Sequence, residues 1–327
     1  MSQIKISILK QADPPLKKVL ACSFFIMNGG YRDPTFYTKY LKSMIEYKSK
    51  NLKGFEFRIY TDDTGKDLVM DLVKDQSHVS VYHYNCEYFR DGDGHTGTFG
   101  TIVRFLPLFE EGLDVVWITD IDVESSILDM KILNKMKNYK RDFYVNSFAC
   151  YDNKPWAMVK YPIVAYKIIS FITFPRQIFT RFITRLMNGE LEDTIEEINK
   201  YNSPRKASNK KFPYGTDELF INGTLYSYVH KHNIPVFITK SYAIDNIVKY
   251  GSKDITEKDK EFIDKFSMTP TKDGFERLKK LYKRLIPPML ESNPCLQDVL
   301  DNLDHLPAPT KIGWLLQEEL LEIKTLS

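Results

Sequence analysis

The sequence predicts an α/β protein in which a mostly parallel sheet is flanked by helices and followed by a mainly helical carboxy-terminal region. Three observations support this prediction. Short apolar runs typical of buried strands alternate with segments typical of helices, and that alternation favours a parallel sheet. The apolar run that begins at Asp114 suits a strand covered on both faces. Beyond about residue 251 the chain is charged and helical in pattern.

The predicted elements start at residue 19. The first strand, 19–27, is followed directly by the turn signal Asn28-Gly29-Gly30. Further strands are predicted at 55–60, at 79–84, in the run that ends at Asp120, at 143–148 and at 236–239. Helices are predicted at 34–50, 66–74 and 98–109, and Pro107 is expected to kink or shorten the last of these. Residues 90–97 are so rich in glycine that they predict a loop.

Composition limits the class of protein. The 327 residues include 46 Lys and Arg against 43 Asp and Glu, a formal charge of +3, which argues against a general nucleic-acid-binding protein. The four cysteines lie far apart, without metal-ligand spacing, and indicate free thiols in a reducing compartment. No signal region and no run of about 18 apolar residues is found, so a soluble cytoplasmic protein is expected.

The chain divides into four predicted parts. Residues 1–18 are an amino-terminal extension, and residues 19–150 form the main α/β part. Residues 151–250 complete the same domain, and residues 251–327 form the helical carboxy-terminal region.

Two aspartates, Asp120 and Asp122, stand at the end of the apolar run. The carboxyl end of a strand lies at the rim of an α/β sheet, where ligands of open sheets bind. Two carboxylates two positions apart can share a hard divalent cation, and such a cation commonly takes substrate phosphate oxygens as well. This pair therefore predicts a metal and phosphate site at the rim.

The stretch 153–189 has a different texture, with six Lys or Arg, no Asp or Glu, and several interleaved aromatic residues. One interpretation is a basic, aromatic surface that rests on anionic lipid. The other is an ordinary lobe whose aromatic side chains belong to the core. Prolines at 155, 162 and 175 exclude one long amphipathic helix.

Residues 97–106 (Gly-Thr-Phe-Gly-Thr-Ile-Val-Arg-Phe-Leu), the triplet Asp120-Ile121-Asp122 and the later Asp217-Glu218 together resemble nucleotide-sugar glycosyltransferases of the A-type fold. The resemblance covers roughly residues 18–240 and implies a Rossmann-like fold. Residues 19–150 would then bind the nucleotide sugar, and 151–250 would form the acceptor side. The Lys-, Tyr- and Asn-rich composition also resembles such enzymes from large DNA viruses or AT-rich microbes.

The resemblance implies roles for the acidic pair and for donor-binding residues. Asp120 and Asp122 would bind Mn²⁺ or Mg²⁺, with Asp120 also contacting the donor. Many members use a carboxy-terminal histidine as a third ligand, and no matching motif follows His305 here. The predicted donor-binding residues are Tyr31, Asp62, Asp63, Arg104 and Asp120. For Arg104 a surface ion pair with Glu110, Glu111 or another acid is the alternative, and for Asp62 and Asp63 it is helix capping.

Asp217 and Glu218 are the candidate catalytic residues, as a base or as a contact to the acceptor hydroxyl. The alternative is ordinary negative charge in the first turn of a helix, for which Thr216 is the predicted cap. His95, in the glycine-rich loop, is expected to be a disordered surface residue rather than a metal ligand.

The predicted function is transfer of a sugar from a UDP- or GDP-sugar to a hydroxyl of a glycan, glycoprotein or glycolipid, with no nucleic-acid partner. The expected location is the cytoplasm, of the host if the protein is viral, with peripheral membrane contact through 153–189 left open. Nucleotidyl or phosphoryl transfer is an alternative, although the glycine-rich phosphate loop usual for such sites is missing. The other alternative is a catalytically inactive protein on the same fold.

Overall fold

The computed structural model describes residues 4–27, 34–122, 130–138, 140–147, 163–202, 212–240, 248–268, 272–291 and 300. Tyr31 and the basic loop 205–211 lie outside these residues. All statements about the structure refer to the described part of the chain.

The first half of the chain alternates strands and helices, as predicted. Its main elements are β1 (Lys5–Lys10), β2 (Lys18–Phe24), α1 (Pro34–Asn51), β3 (Glu56–Thr61), α2 (Lys66–Val73) and β4 (Val79–Asn85). A two-stranded hairpin of β5 (Arg90–Asp91) and β6 (Gly94–His95) leads to α3 (Phe99–Val103) and β7 (Val115–Thr119). Pro107 lies in a separate 3₁₀ turn, Leu106–Phe109, so the helix predicted for 98–109 is shortened.

The second half adds more helices. Its elements are α4 (Met130–Asn138), β8 (Phe143–Ser147), β9 (Ile163–Ser170), α5 (Arg176–Met187), α6 (Glu192–Asn202), α7 (Thr216–Phe220), a π-helical turn (Ile221–Leu225), α8 (Tyr226–Lys231), β10 (Val236–Lys240), α9 (Glu257–Met268) and α10 (Lys272–Leu285). The last two helices lie in the region that was predicted to be helical.

Eight strands form one mixed sheet in the order β1-β4-β3-β2-β7-β9-β8-β10. The four neighbours β4, β3, β2 and β7 are mutually parallel, as are β8 and β10. β9 runs antiparallel to both of its neighbours, and β1, from the predicted amino-terminal extension, pairs antiparallel with β4 at the edge. This is the predicted Rossmann-like α/β fold.

The direction of winding reverses beside β2. From β2 the chain proceeds through β3 to β4 on one side, whereas β7 pairs with the other side of β2. In open α/β sheets, ligands bind outside the carboxyl ends of the strands at such a switch point. The sheet order therefore marks the ends of β2 and β7 as the place to look for a site.

Apolar side chains alternate between the two faces of the sheet and build two cores. In β7, Val116 and Ile118 belong to one core, and Val115 and Trp117 belong to the other. Helices α1, α2 and α4 cover the second core, and α3 and α5 to α8 cover the first. A strand buried on both faces needs the continuous apolar run seen in the sequence.

A third, smaller apolar cluster joins the carboxy-terminal helices. It contains Ile263 of α9 and Leu278, Leu281 and Leu285 of α10. None of the helices in the described residues is long and apolar enough to cross a membrane.

The stretch 153–189 is described from residue 163 onward, where it forms β9 and α5. Its described aromatics Phe174, Phe179 and Phe182 are buried in the first core. These three residues therefore act as core, as in the lobe interpretation. Contact of the basic residues with lipid stays a prediction.

Candidate active site

A cavity opens at the switch point between β2 and β7. Its volume of about 180 Å³ far exceeds the space that one water needs, so it can hold a larger group. Five charged residues contribute to its wall: Arg104, Asp120, Asp122, Asp217 and Glu218. Asp120 and Asp122 come directly after β7, Arg104 ends α3, and the other two lie in the first turn of α7.

Arg104 joins the carboxylates of two segments that are distant in sequence. Its Nη1 donates a hydrogen bond to Asp120, and its Nη2 donates to Asp217 Oδ2 at 2.8 Å. The guanidinium is buried, and the carboxylates of Asp120 and Asp217 raise its pKa although burial opposes its charge. The alternative of a surface ion pair is wrong for Arg104, because its guanidinium is buried between Asp120 and Asp217, and Glu110 pairs with Arg58 instead, at 2.5 Å.

Short helices and turns place these side chains. Thr98, Thr101 and Arg104 are spaced by three residues, so all three face the cavity from about two turns of helix. Before α7, Gly215 adopts φ +99°, a left-handed conformation that favours glycine. Thr216 does not cap this helix as predicted, since its hydroxyl donates to the carbonyl of Pro213 at 2.7 Å.

The carboxylates of the cavity crowd one another. Burial raises the pKa of Asp120 to about 6, with the nearby charges of Asp122 and Asp217 adding to the rise and Arg104 opposing it. Burial, followed by the negative charge of Asp217, raises the pKa of Glu218 well above its usual value. Carboxylates with raised pKa values are common in functional sites.

Glu218 has a second unusual property. Among the described residues, its buried Oε2 atom finds no hydrogen-bond partner. Its backbone is fixed, because the amide donates to Asp217 Oδ1 at 3.2 Å and the carbonyl accepts from Asn222 Nδ2 at 2.8 Å. An unpaired buried carboxylate oxygen is costly, and in a cavity it is free to meet a ligand.

The opposite wall of the cavity is largely apolar. It is formed after β2 and at the start of α1 by Phe25, Ile26, Met27, Pro34 and Tyr37. The sequence analysis did not select these residues, and apolar side chains after a strand carry little signal of function. A cavity with an apolar wall and a few convergent polar groups is typical of small-molecule sites.

The donor set around the cavity suits a hard divalent cation. Four carboxylates face a single guanidinium among the described lining residues, and carboxylate oxygens are the ligands that Mg²⁺ and Mn²⁺ prefer. The described residues contain no group of three or more His, Cys, Asp or Glu arranged to hold a metal ion. Cation binding by Asp120 and Asp122 therefore stays a prediction, and the remaining ligands would have to come from substrate or water.

Asp62 and Asp63 follow β3 and do not line the cavity. Asp62 is buried and accepts hydrogen bonds from the backbone and hydroxyl of Thr64. Asp63 contacts Lys66, His83 and Arg90 at 2.8–3.1 Å. Neither caps α2 through its side chain, and their role in donor binding stays a prediction.

His95 is not a disordered surface residue, so that expectation is wrong. Its side chain is 2% exposed, and Nδ1 lies 3.0 Å from Asp62 Oδ2. Its Nε2 accepts a hydrogen bond from the amide of Cys86 at 3.0 Å, so the proton resides on Nδ1 and points to Asp62. The ring also stacks on Phe99. The hairpin β5–β6 gives this glycine-rich segment its order.

Comparisons with known proteins add little beyond the fold. No protein-family model and no curated protein matches the sequence. Among solved structures, the chain is similar to 4-diphosphocytidyl-2C-methyl-D-erythritol synthase from Anaerococcus prevotii, with 10% identity and a TM-score of 0.30. The match covers 63% of this chain and 96% of that one. A likeness this weak assigns no activity.

Proposed function

We propose that this protein is a metal-dependent glycosyltransferase that moves a sugar from a nucleoside-diphosphate sugar to an acceptor hydroxyl. One observation carries the proposal: Asp120, Asp122, Asp217, Glu218 and Arg104 surround one cavity at the switch point of an α/β sheet. The same residues were singled out by the resemblance to A-type glycosyltransferases. The structure shows the Rossmann-like α/β fold, and sugar transfer on this fold is our proposal.

Asp120 and Asp122 would hold the cation, Mn²⁺ or Mg²⁺. When bound, such a cation neutralises the negative charge that builds on a departing diphosphate. Arg104 lies beside Asp120 with a guanidinium that suits phosphate oxygens or sugar hydroxyls. Its partners Asp120 and Asp217 fix its direction.

The apolar wall after β2 is suited to the base and ribose of the donor, because it offers apolar surface next to the charged wall. UDP- and GDP-sugars are the proposed donors. Tyr31, Asp62 and Asp63 remain proposed donor contacts, although the last two are already held by protein partners.

Glu218 is the better candidate for the catalytic base. Asp217 is bound by Arg104 at 2.8 Å, whereas Oε2 of Glu218 has no partner among the described residues. In an inverting reaction the acceptor oxygen bonds to the anomeric carbon, the bond to the diphosphate breaks, and the hydroxyl proton passes to Glu218. In a retaining reaction the same carboxylate faces the oxocarbenium-like sugar.

A thermal-shift experiment with Mn²⁺ and UDP or GDP tests the site. Wild-type protein should gain on the order of 5 °C in Tm at a hundredfold excess over Kd, since ligand binding stabilises the folded state. Asp122→Asn should abolish the shift. The matched control Asp71→Asn, an exposed aspartate on α2, should keep it.

The products distinguish the proposed reaction from its alternatives. A glycosyltransferase releases a nucleoside diphosphate from the donor. Release of pyrophosphate from a nucleoside triphosphate would instead establish nucleotidyl transfer. A protein that shows neither a shift with any nucleoside diphosphate nor any turnover would be the inactive homologue.

The glycan, glycoprotein or glycolipid acceptor, the cytoplasmic location, the lipid contact through 153–189 and the viral origin also remain proposals. Each was inferred from sequence composition or from the resemblance. The cavity supports only the acceptor, and the basic residues of α5 support only the lipid contact.

A further inference from the structure

Tyr214 is an aromatic residue exposed at the rim of the cavity. Its exposed fraction is 39%, although tyrosine rings of this fold are mostly buried or half-buried. The other exposed large apolar residues among those described are Ile8, Leu9, Tyr88 and Tyr250, and none of them lines the cavity. The ring therefore faces both solvent and the site.

The turn that carries Tyr214 is firmly held. The hydroxyls of Thr98 and Thr216 both donate to the carbonyl of Pro213, at 3.0 and 2.7 Å. The amides of Thr98 and Thr216 donate to the carbonyls of Phe212 and Pro213, at 3.0 and 3.2 Å. Four hydrogen bonds thus fix the backbone on the amino-terminal side of the exposed ring.

The residues on either side of Tyr214 add to this constraint. Phe212 is fully buried and packs edge-on against Phe89 and Phe99 at 5.6 and 5.4 Å. Gly215, with φ +99°, turns the chain directly into α7. Because the backbone of this turn is already fixed, a ligand that binds the ring has to order only two side-chain torsions, so the turn preorganises part of the platform.

The platform lies beside groups that bind hydroxyls. Asp217 and Glu218 line the same cavity from the first turn of α7, three and four residues after Tyr214. A pyranose ring has one face of C–H groups that packs on an aromatic ring, and hydroxyls at its edge that donate to carboxylates. A peptide or a lipid tail does not require an aromatic ring and hydroxyl-binding carboxylates side by side.

We propose that Tyr214 forms the floor of an acceptor subsite and that the acceptor is itself a sugar. This inference rests on the proposed function, since it takes Glu218 as the group that meets the acceptor hydroxyl. The sugar stacks on Tyr214 and directs one hydroxyl toward Glu218. Tyr214 is thus a binding residue that selects a glycan over the side chain of a protein.

Methyl glycosides of glucose, galactose, mannose and N-acetylglucosamine test the subsite, because they carry no aromatic or lipid aglycone. Binding is measured by saturation-transfer NMR with diamagnetic Mg²⁺ and UDP or GDP present, and transfer is measured with the sugar nucleotide that the protein hydrolyses fastest. Tyr214→Ala should raise Kd and KM for the best glycoside about tenfold, the size of one lost aromatic stack. Tyr214→Phe should stay within about threefold of the wild type.

The control is Tyr250→Ala, which removes a tyrosine that is 78% exposed and outside the cavity and should behave as wild type. Tyr214→Ala should raise KM for the glycoside more than it raises KM for the donor. Equal glycoside binding by Tyr214→Ala and wild type would overturn the proposal, as would a wild-type protein that binds no methyl glycoside. Transfer to a sugar-free serine peptide that ignores Tyr214 would overturn it too.

The two proposals can fail separately. Absence of donor hydrolysis together with Tyr214-dependent glycoside binding would refute the glycosyltransferase and keep a sugar site. Donor hydrolysis without glycoside binding would keep the enzyme and refute the sugar acceptor.

Discussion

Two pairs of acids follow the parallel strands β3 and β7, which lie on either side of β2, yet their surroundings are opposite. Asp63, after β3, is contacted by Lys66, His83 and Arg90. Hydrogen bonds from Arg90 and Lys66 hold its pKa well below the usual range. Asp120, after β7, has a pKa raised to about 6 by burial and by other carboxylates.

The difference separates acids that protein donors already satisfy from the candidate catalytic acids. Asp62 and Asp63 are satisfied by protein donors and stabilise the turn after β3 and the hairpin β5–β6. The acids of the cavity share Arg104 and leave Oε2 of Glu218 unpaired. Crowded like charges destabilise the folded protein, and such strain is typical of sites retained for function.

The largest expected effect is on turnover. Glu218→Gln should lower kcat at least about a hundredfold, because a positioned general base contributes that much or more. The Tm shift with Mn²⁺ and nucleoside diphosphate should persist, since the cation-binding pair is intact. Steady-state kinetics and thermal shift measure the two effects, with the exposed Glu111→Gln as control. A lost shift in Glu218→Gln would place this residue with the donor instead.

Replacement of His95 tests the protein hydrogen bonds that satisfy Asp62. His95→Ala should lower the free energy of unfolding by about 2–3 kcal/mol, because it leaves Asp62 and the amide of Cys86 each with one buried partner fewer. Tyr84→Phe, which removes a longer bond of 3.4 Å to Asp62, should cost about 1 kcal/mol or less. Urea denaturation measures the free energy of unfolding of both variants. Equal stability of His95→Ala and wild type would contradict a stabilising role for the hydrogen bonds of His95.

The smallest effects should depend on pH in opposite directions. Asp63 has a lowered pKa when folded, so its contribution is present above about pH 4 and is lost as the pH falls below that value. Asp63→Asn should therefore cost about 1 kcal/mol at pH 7, discounted for its partly exposed partners, and progressively less as the pH falls below 4 toward the lowered pKa of the folded state.

Glu218 has a raised pKa when folded, so its destabilising effect is absent below about pH 4 and grows as the pH rises. Glu218→Gln should consequently have a higher Tm than wild type at pH 7 and the same Tm at pH 4. Thermal melts over this range compare the two variants. If the stabilities of Asp63→Asn and Glu218→Gln, each relative to wild type, changed with pH in the same direction, the distinction between the two acid pairs would be wrong.

Local pattern predicted most of the strands and helices. The run from Val115 to Thr119 had to be buried on both faces, and it is. Two features were not predictable in this way. The strand Lys5–Lys10 gains its partner from β4, about 80 residues away, and β9 lies in a stretch whose basic and aromatic texture resembled no particular element.

The sequence analysis selected the charged residues that line the cavity, but neither the other lining residues nor the arrangement. Thr98, Thr101 and Arg104 share a spacing of three residues that identifies one helical face, whereas Tyr214 and Phe25 carry no such signal. His95 was misjudged because glycine content predicts a loop but cannot show that a ring in that loop packs against Phe99 and bonds Asp62.

By itself the sequence determined the alternation of strands and helices, because side-chain periodicity and glycine, proline and aspartate turns act over a few residues. It also placed Asp120 and Asp122 at the end of a buried strand. Only the tertiary structure decided that Arg104 contacts both Asp120 and Asp217, the latter 113 residues after Arg104 in the sequence. It also decided that Asp63 contacts basic partners instead. The order of strands in the sheet sets which distant side chains meet, and their mutual burial and charge then set the pKa of each acid.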